Sequence, residues 1–426
     1  MISAVTSRGS ISGIRQRAAG AMLALAVVLA PAVVATRSAG AQTFSVLFRF
    51  EGADGANPSA GLIRDASGNL YGTTPGGGAH GLGTVFKLDT TVRETVLHSF
   101  VGYRTDGFGP FAGLIRDASG NLYGTTFEGG AGLCGLRNLP VGCGTVFKLN
   151  TTSNETVLYS FGLPSHFLRF PNLATGIIPY ADLVGDAAGN LYGTASGGGA
   201  FNAGAVFKLD ATDKETVLHS FTGADGANPL AGLVRDASGN LYGTTSSGGA
   251  HGLGTVFKLD TTGRETVLHS FSGPDGENPA AVLIRDASGN LYGTTVAGGK
   301  TCNSTYNSCG TVFKLDTRNG ETVLHRFTGA DGANPLAGLV RDASGNLYGT
   351  TSSGGAHGLG TVFKLDTTGR ETVLHSFSGP DGENPAAVLI RDASGNLYGT
   401  TVAGGKNCNL VNSTYNSCGT VFKLTP

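Results

Sequence analysis

The stretch DASGNLYGTT occupies residues 65–74. The same ten residues begin again at five further positions, Asp117, Asp236, Asp286, Asp342 and Asp392. A variant of it, DAAGNLYGTA, begins at Asp186. A motif that returns about every 50 residues is typical of a repeat architecture, whereas a catalytic site is rarely needed seven times. The decapeptide is therefore interpreted as part of a scaffold.

Four short segments recur around each copy of the decapeptide. In the fourth repeat they are residues 230–236 (LAGLVRD), 240–245 (NLYGTT), 254–260 (GTVFKLD) and 265–271 (ETVLHSF). Their length and their Val, Tyr, Phe and Thr content indicate β-strands, and the connectors DASGN and DTTGRE carry the Asp and Gly of tight turns. Four antiparallel strands per repeat, seven times over, predict an all-β fold, a seven-bladed β-propeller.

The two ends of the chain complement each other. Residues 43–50 (TFSVLFRF) resemble a fourth strand with no first three strands before it, and the last repeat ends at residues 419–426 (GTVFKLTP) without a fourth strand. We therefore expect the N-terminal strand to pair in the last blade, formed by residues 386–424, and to close the ring without leaving an open edge.

Residues 1–41 have the pattern of a cleaved export signal. Arg8, Arg15 and Arg17 precede an apolar run over residues 18–35, and small residues then favour cleavage after Ala41. A membrane anchor is the weaker alternative because the run is short and a cleavage site follows it. The sequence thus predicts a single propeller domain over residues 42–426, secreted, periplasmic or at the cell surface, without a membrane span.

Charge and motifs argue against several function classes. Residues 1–41 carry four Arg and no acidic residue, so the remainder has 25 basic against 30 acidic side chains, and no basic cluster suggests nucleic-acid binding. The sequence contains no G-x-S-x-G, H-E-x-x-H or G-x-x-x-x-G-K motif. Residues 221–300 and 327–406 are identical over 80 positions. Four of the blades therefore contribute little unique chemistry, which favours a non-catalytic protein.

The ordered motifs G-N-L-Y-G-T-T, Gly-Gly, G-T-V-F-K-L and T-V-L-H-S-F run through residues 43–426. This pattern resembles the GloVer tandem repeat of bacterial exported proteins. The family carries the label choice-of-anchor because its members end in different sorting signals. The resemblance implies an exported bacterial protein. It brings no established activity and no catalytic residues to carry over.

Length variation falls on one set of loops, those between second and third strands and those between blades. The longest is the connection into blade 3, residues 162–183. All six cysteines lie in these insertions as local pairs, and an even number in an exported chain predicts three disulfides, Cys134–Cys143, Cys302–Cys309 and Cys408–Cys418. Zinc is the rival reading, disfavoured because no loop contains a second pair or a nearby histidine.

Insertions on one face of a repeat protein often form its binding face. The long connection contributes His166, Phe167, Arg169, Phe170, Tyr180 and Asp182 as candidate contacts. Other loops contribute His80, Phe201, His251, His357, Tyr306 and Tyr415. We expect a monomer that binds a glycan or a cell-envelope component. The alternatives are a polysaccharide lyase or hydrolase using His166, Arg169, Tyr180 or Asp182, and a purely structural protein.

Three further repeated positions carry polar residues. Fourth-strand histidines such as His98 are replaced by Phe48 and Tyr159, which indicates packing or hydrogen bonding and not a metal site. Loops such as ADGANP could bind calcium, although an Asx-turn fits them better, so no cofactor is predicted. First-strand arginines are expected to pair with the Asp that follows each of them. In blade 3 the arginine is replaced by Gly185, which we expect to open space beside the long connection.

Overall fold

The fold is described by a computed structural model covering residues 42–102, 104–132, 142–162, 176–299, 308–406 and 417–426. These residues form strands and turns, and none of them lies in a helix that is long and apolar enough to cross a membrane. The predicted signal, residues 1–41, lies outside the described residues.

The strands form seven four-stranded antiparallel sheets, numbered here as blades 1 to 7 along the chain. The first strands are β2 (Ile63–Arg64), β6 (Ile115–Arg116), β11 (Val184–Gly185), β16 (Val234–Arg235), β20 (Ile284–Arg285), β24 (Val340–Arg341) and β28 (Ile390–Arg391). The second strands are β3 (Leu70–Thr74), β7 (Leu122–Thr126), β12 (Leu191–Ala195), β17 (Leu241–Thr245), β21 (Leu291–Thr295), β25 (Leu347–Thr351) and β29 (Leu397–Thr401).

The outer half of each blade follows the same order. The third strands are β4 (Thr84–Leu88), β8 (Thr145–Leu149), β14 (Ala205–Leu209), β18 (Thr255–Leu259), β22 (Thr311–Leu315), β26 (Thr361–Leu365) and β30 (Thr420–Thr425). The fourth strands are β5 (Glu94–Ser99), β9 (Glu155–Ser160), β15 (Glu215–Ser220), β19 (Glu265–Ser270), β23 (Glu321–Arg326), β27 (Glu371–Ser376) and, in blade 7, β1 (Thr43–Arg49). A separate short pair joins β10 (Gly176–Ile177) to β13 (Gly197–Gly198).

The N-terminal strand closes the ring. β1 pairs antiparallel with β30, so that Thr43 lies opposite Thr425 and Arg49 lies opposite Thr420. The sheet order β1-β30-β29-β28 makes β1 the outer strand of blade 7. The predicted seven-bladed β-propeller and its closure by the N-terminal strand are confirmed.

The first half of the decapeptide builds the turn between the first and second strands. One oxygen of the Asp65 carboxylate accepts from the Asn69 amide nitrogen at 2.9 Å, and the other accepts from the Asn69 side chain at 2.8 Å and the Tyr71 hydroxyl at 3.1 Å. Gly68 takes a φ of 94°, a conformation that side chains disfavour. The turn thus fixes the tyrosine as well as the backbone.

The second half of the decapeptide holds the blades together. A Cβ on Gly72 would lie 2.7 Å from the Phe86 ring, so only glycine fits there. The Thr73 hydroxyl donates to the Ala112 carbonyl of the next blade at 2.8 Å. Equivalent bonds occur at every other interface between blades, made by Thr125, Thr194, Thr244, Thr294, Thr350 and Thr400. The motif is therefore a scaffold element, as its repetition suggests.

Phenylalanine pairs fill the interfaces between blades. A Phe after each fourth strand packs edge-to-face against a third-strand Phe of the next blade, with ring centroids 5.0–5.3 Å apart. The seven pairs are Phe50–Phe86, Phe100–Phe147, Phe161–Phe207, Phe221–Phe257, Phe271–Phe313, Phe327–Phe363 and Phe377–Phe422. Each such pair contributes about 1 kcal/mol beyond its buried area. The core consists of seven buried clusters, one at each interface between blades.

The loops divide between two faces. The turn face carries the DASGN-type turns and the turns between third and fourth strands. The insertion face carries the loops between second and third strands, which pair with the loops between blades, as Ala56 does with Gly76. Cys143, Cys309 and Cys418 lie on this side at a position that is Leu82 in blade 1; all three are fully buried and none is a free thiol. Their predicted partners lie outside the described residues, so the pairing stays a prediction.

Candidate functional site

Three aromatic side chains gather on the insertion face beside the central channel. Phe111 stacks on Tyr180 with centroids 5.2 Å apart, and Phe127 meets both rings edge-on at 5.5 and 5.9 Å. We call these residues the aromatic cluster. Tyr180 is 36% exposed. At the position of Phe111 and Tyr180 the other blades have smaller side chains, Ser59, Leu230, Ala280, Leu336 and Ala386. The cluster is therefore a feature of blades 2 and 3.

Asp182 lies at the mouth of the channel, next to the aromatic cluster. It helps to line a pocket of about 110 Å³ to which all seven blades contribute. Its carboxylate accepts from the Gly113 amide nitrogen, and a Cβ on Gly113 would lie 3.1 Å from a carboxylate oxygen. Burial raises the pKa of Asp182 above its ordinary value. The other first-strand positions at this level carry Gly or Val, so the mouth offers one carboxyl group against a rim of small apolar residues.

The remaining predicted contacts are spread over the insertion face. His80, His251 and His357 are exposed, as is Phe201 with 64% of its surface accessible, and each belongs to a different blade. His166, Phe167, Arg169, Phe170, Tyr306 and Tyr415 lie outside the described residues. The structure thus brings Tyr180 and Asp182 together. It adds Phe111 and Phe127, which the sequence analysis missed although each stands where other blades have different residue types.

A second group of polar residues lies at the outer rim, between fourth strands of neighbouring blades. The fourth-strand histidines bond to aspartates of the loops that follow them at 2.8–3.0 Å, in the pairs His98–Asp106, His219–Asp225, His269–Asp275, His325–Asp331 and His375–Asp381. The histidines are therefore hydrogen-bonding positions, as expected. Asp225, a candidate calcium ligand in the sequence, also accepts from the backbone and hydroxyl of Thr222.

A glutamate of the next blade completes most of these rim clusters. One carboxylate oxygen of each is buried without a hydrogen-bond partner among the described residues, in Glu94, Glu155, Glu215, Glu265, Glu321 and Glu371. Burial, reinforced in most by the charge of a nearby aspartate, raises the pKa to about 7 for Glu94, Glu155, Glu265, Glu321 and Glu371. At the interface of blades 6 and 7 the glutamate is replaced by Phe44, which stacks on His375 at 3.7 Å.

One rim cluster has ligand atoms close enough for a metal ion. The donor atoms of His219, Asp225 and Glu265 lie within 4.8 Å of one another. Equivalent interfaces place Phe48 or Tyr159 at the histidine position. The repeat therefore uses the histidine position for packing between blades, and the cluster of His219, Asp225 and Glu265 is interpreted as a structural contact.

The first-strand arginines do not pair with the aspartates that follow them, so that expectation was wrong. The described part of the chain contains no Arg–Asp ion pair within 4.0 Å. The aspartates are occupied by the Asn and Tyr of their own turns. The guanidinium groups lie 5.6–6.0 Å from tyrosine ring centroids of the preceding blade, in the pairs Arg235–Tyr192, Arg285–Tyr242, Arg341–Tyr292 and Arg391–Tyr348.

The arginine missing from blade 3 leaves a cleft on the turn face. It has a volume of about 520 Å³ and is lined by Tyr123, Asp117, Gly185 and Asp186, among others. We call it the blade 2–3 cleft. The clefts between blades 7 and 1 and between blades 1 and 2, where Arg64 and Arg116 are present, measure about 340 and 260 Å³ and are lined by the turns between third and fourth strands. Gly185 opens space beside the turns, because it sits at the turn end of its strand. Residues 163–175 of the long connection lie outside the described residues, so the expectation of space beside that connection stays a prediction.

Solved structures similar to this chain share its fold at low sequence identity. Virginiamycin B lyase from Staphylococcus aureus superposes with a TM-score of 0.56 and 11% identity over 90% of this chain and all of that one. The extracellular domain of a protein described as a hybrid two component system from B. thetaiotaomicron superposes with a TM-score of 0.52 and 12% identity. The match covers 90% of this chain and 41% of that one. The extracellular domain of a one component system from the same organism superposes with a TM-score of 0.52 and 12% identity. The match covers 89% of this chain and 39% of that one. At such identities these likenesses show the propeller fold alone.

A comparison with curated proteins finds no match. A family model described as the Gloeobacter/Verrucomicrobia repeat matches residues 32–167 and 299–426, together more than half of the 426 residues. These are the same repeated motifs that suggested the GloVer resemblance. The chain belongs to the Gloeobacter/Verrucomicrobia repeat family.

Proposed function

We propose that this chain is an exported, non-catalytic binding protein that holds a glycan or another cell-envelope component against its insertion face. The observation that carries the proposal is the aromatic cluster. Phe111 and Tyr180 form an apolar surface at the channel mouth, Phe127 packs against both, and the rest of the ring does not repeat this arrangement. Aromatic side chains give a large contact area at a low entropy cost, which is why they are common at recognition surfaces.

The polar neighbour of the cluster supports a ligand with hydroxyl groups. Asp182 offers one carboxylate oxygen to the Gly113 amide and keeps its remaining acceptor positions for a ligand in the mouth. Pockets that bind small molecules typically combine apolar walls with a few placed polar groups. A sugar ring has a C–H face for the aromatic surface and hydroxyls for the carboxyl group.

A lyase or hydrolase remains the second candidate because Tyr180 and Asp182 stand together at the mouth. Glycoside hydrolysis usually requires two carboxyl groups on either side of the scissile bond. Asp182 is the one acidic residue among those lining the mouth in the described part of the chain. This favours binding over hydrolysis, while His166 and Arg169 of the long connection are the residues a lyase would add.

A glycan array followed by calorimetry on the best ligand tests the proposal. Tyr180→Ala and Phe111→Ala should each weaken binding at least tenfold. Leu336→Ala is a matched control, because Leu336 occupies the same position in blade 6 and is 37% exposed, against 36% for Tyr180. Equal affinity in Tyr180→Ala and the control would refute the site. Turnover of a polysaccharide by the wild type, lost in Asp182→Asn, would establish the enzyme instead.

A further inference from the structure

A repeated contact is missing one partner at the interface of blades 2 and 3. Each second-strand tyrosine has a third-strand lysine of its own blade over its ring, with Nζ 5.7–5.9 Å from the centroid, from Lys87–Tyr71 round to Lys423–Tyr398. Four of the tyrosines also have an arginine of the following blade within 6.0 Å. Arg64 and Arg116 come from the blades that follow Tyr398 and Tyr71, and the positive charge of each acts to lower the pKa of the tyrosine hydroxyl.

Tyr123 completes the ring of seven but has no such arginine, because the following blade carries Gly185. Lys148 still lies over its ring at 5.7 Å. The group that is absent is therefore specifically a guanidinium and not an ammonium. The space it would fill is part of the blade 2–3 cleft, which both Tyr123 and Gly185 line.

The charges around the cleft suit a cation. Asp117 and Asp186 line it from the two facing turns, and each already accepts from the Asn and Tyr of its own turn. Arg116 also lines the cleft, so the three charged side chains of its lining sum to one negative charge, while Lys148 lies over the Tyr123 ring outside this lining. The face of the Tyr123 ring adds the negative side of its quadrupole, to which guanidinium groups bind well.

We propose that the blade 2–3 cleft is a binding site for the guanidinium group of a ligand, which takes the place that an arginine side chain occupies at the neighbouring interfaces. The ligand is either a free guanidino compound or an exposed arginine of a peptide or protein. The site lies on the turn face, so it is separate from the glycan site proposed on the insertion face, and either can fail without the other.

The chain offers matched variants for the test. Gly185 is exposed, and a Cβ added there would have ordinary contacts at 3.7 Å or more. Gly185→Ala therefore leaves the cleft open, whereas Gly185→Arg supplies the missing group from within the chain. Arg285→Gly should do the reverse and create a second cleft over Tyr242, where the guanidinium now lies 5.6 Å from the ring centroid.

The measurement is an NMR or calorimetric titration of the full chain with N-methylguanidinium and with Nα-acetyl-arginine amide, with methylammonium as the comparison ion. We expect one saturable guanidinium site in the wild type and in Gly185→Ala. Affinity should fall at least tenfold in Gly185→Arg, a second site should appear in Arg285→Gly, and methylammonium should bind at least fivefold more weakly.

Tighter binding of an arginine-containing tripeptide than of the free compounds would assign the ligand to a peptide or protein, and equal affinity would assign it to free guanidino compounds. Both results support the site. Undiminished binding in Gly185→Arg, with an unchanged melting curve showing that the variant is folded, overturns the proposal. Binding of methylammonium equal to that of N-methylguanidinium also overturns it.

Discussion

The rim glutamates are expected to make the propeller less stable as the pH rises. Glu371 of blade 6 faces Asp331 and His325 across the interface with blade 5, and one of its carboxylate oxygens is buried without a partner in the described residues. Burial and the charge of Asp331 raise the pKa of Glu371 to about 7. The hydrogen bond from His325 and bonds from Thr328 hold the pKa of Asp331 below its ordinary value, so Asp331 is charged in both states above pH 5.

The sign of the effect follows from proton binding. Between about pH 4.5 and pH 7 the folded chain keeps a proton on Glu371 that the unfolded chain has released, so stability falls across this window and is constant above it. A rise of the pKa from 4.5 to about 7 corresponds to a loss of about 3 kcal/mol in the free energy of unfolding before solvent screening is considered. The side chain is half-buried, and solvent screening reduces this to about 1 kcal/mol per glutamate.

Replacing a glutamate by glutamine removes the titrating proton and keeps the size and shape of the side chain. The triple variant Glu94→Gln, Glu321→Gln, Glu371→Gln should exceed the wild type in free energy of unfolding by about 3 kcal/mol at pH 8, as the sum of three separate interfaces. It should differ by less than about 1 kcal/mol at pH 4.5. Urea unfolding at both pH values measures this, with Glu277→Gln as the control for loss of one loop charge. A variant no more stable than the wild type at pH 8 would show that these carboxyl groups titrate normally.

Three other predictions concern single features. Deleting β1 (Thr43–Arg49) should lower the melting temperature sharply by exposing the edge of β30, and an unchanged curve would contradict the closure. Non-reducing peptide mapping should find Cys134–Cys143, Cys302–Cys309 and Cys408–Cys418; bridges between blades or free thiols would rule this out. Gly185→Arg should exceed Gly185→Ala in free energy of unfolding by about 0.5–1 kcal/mol through the added cation–π contact, and equal values in the two variants would contradict that contact.

The fold could be predicted from the sequence because the residues that form its turns and strands are repeated seven times and act on near neighbours in the chain. The turn residues Asp65 and Gly68 act within five residues of each other, and seven copies of the turn mark seven hairpins. Ring closure needed only the observation that residues 43–50 lack a blade of their own. By contrast, Thr73 contacts the next blade and Phe86 the preceding one, so their roles appear only when the blades are placed side by side.

The sites were harder to predict for the same reason. The sequence predicts that Arg235 pairs with its neighbour Asp236. In the structure Asn240 and Tyr242 already satisfy that carboxylate, and the guanidinium lies over Tyr192 of the preceding blade. Phe111 and Tyr180 are 69 residues apart and meet only because adjacent blades converge at the channel. Gly185 was noticed as a departure from the repeat, yet the face on which it opens depends on its place along the strand.

The duplicated blades allow a final prediction about stoichiometry. Residues 221–300 and 327–406 are identical, so the interface of blades 4 and 5 recurs between blades 6 and 7 except at the outer strand, where Phe44 takes the place of Glu321. A ligand that uses surfaces of these blades should find two equivalent sites. The aromatic cluster and the blade 2–3 cleft each occur once, and they require one ligand per chain. Calorimetry on a purified ligand therefore locates its site before any variant is made. A stoichiometry of two would place the site in the duplicated blades and contradict a role for blades 2 and 3.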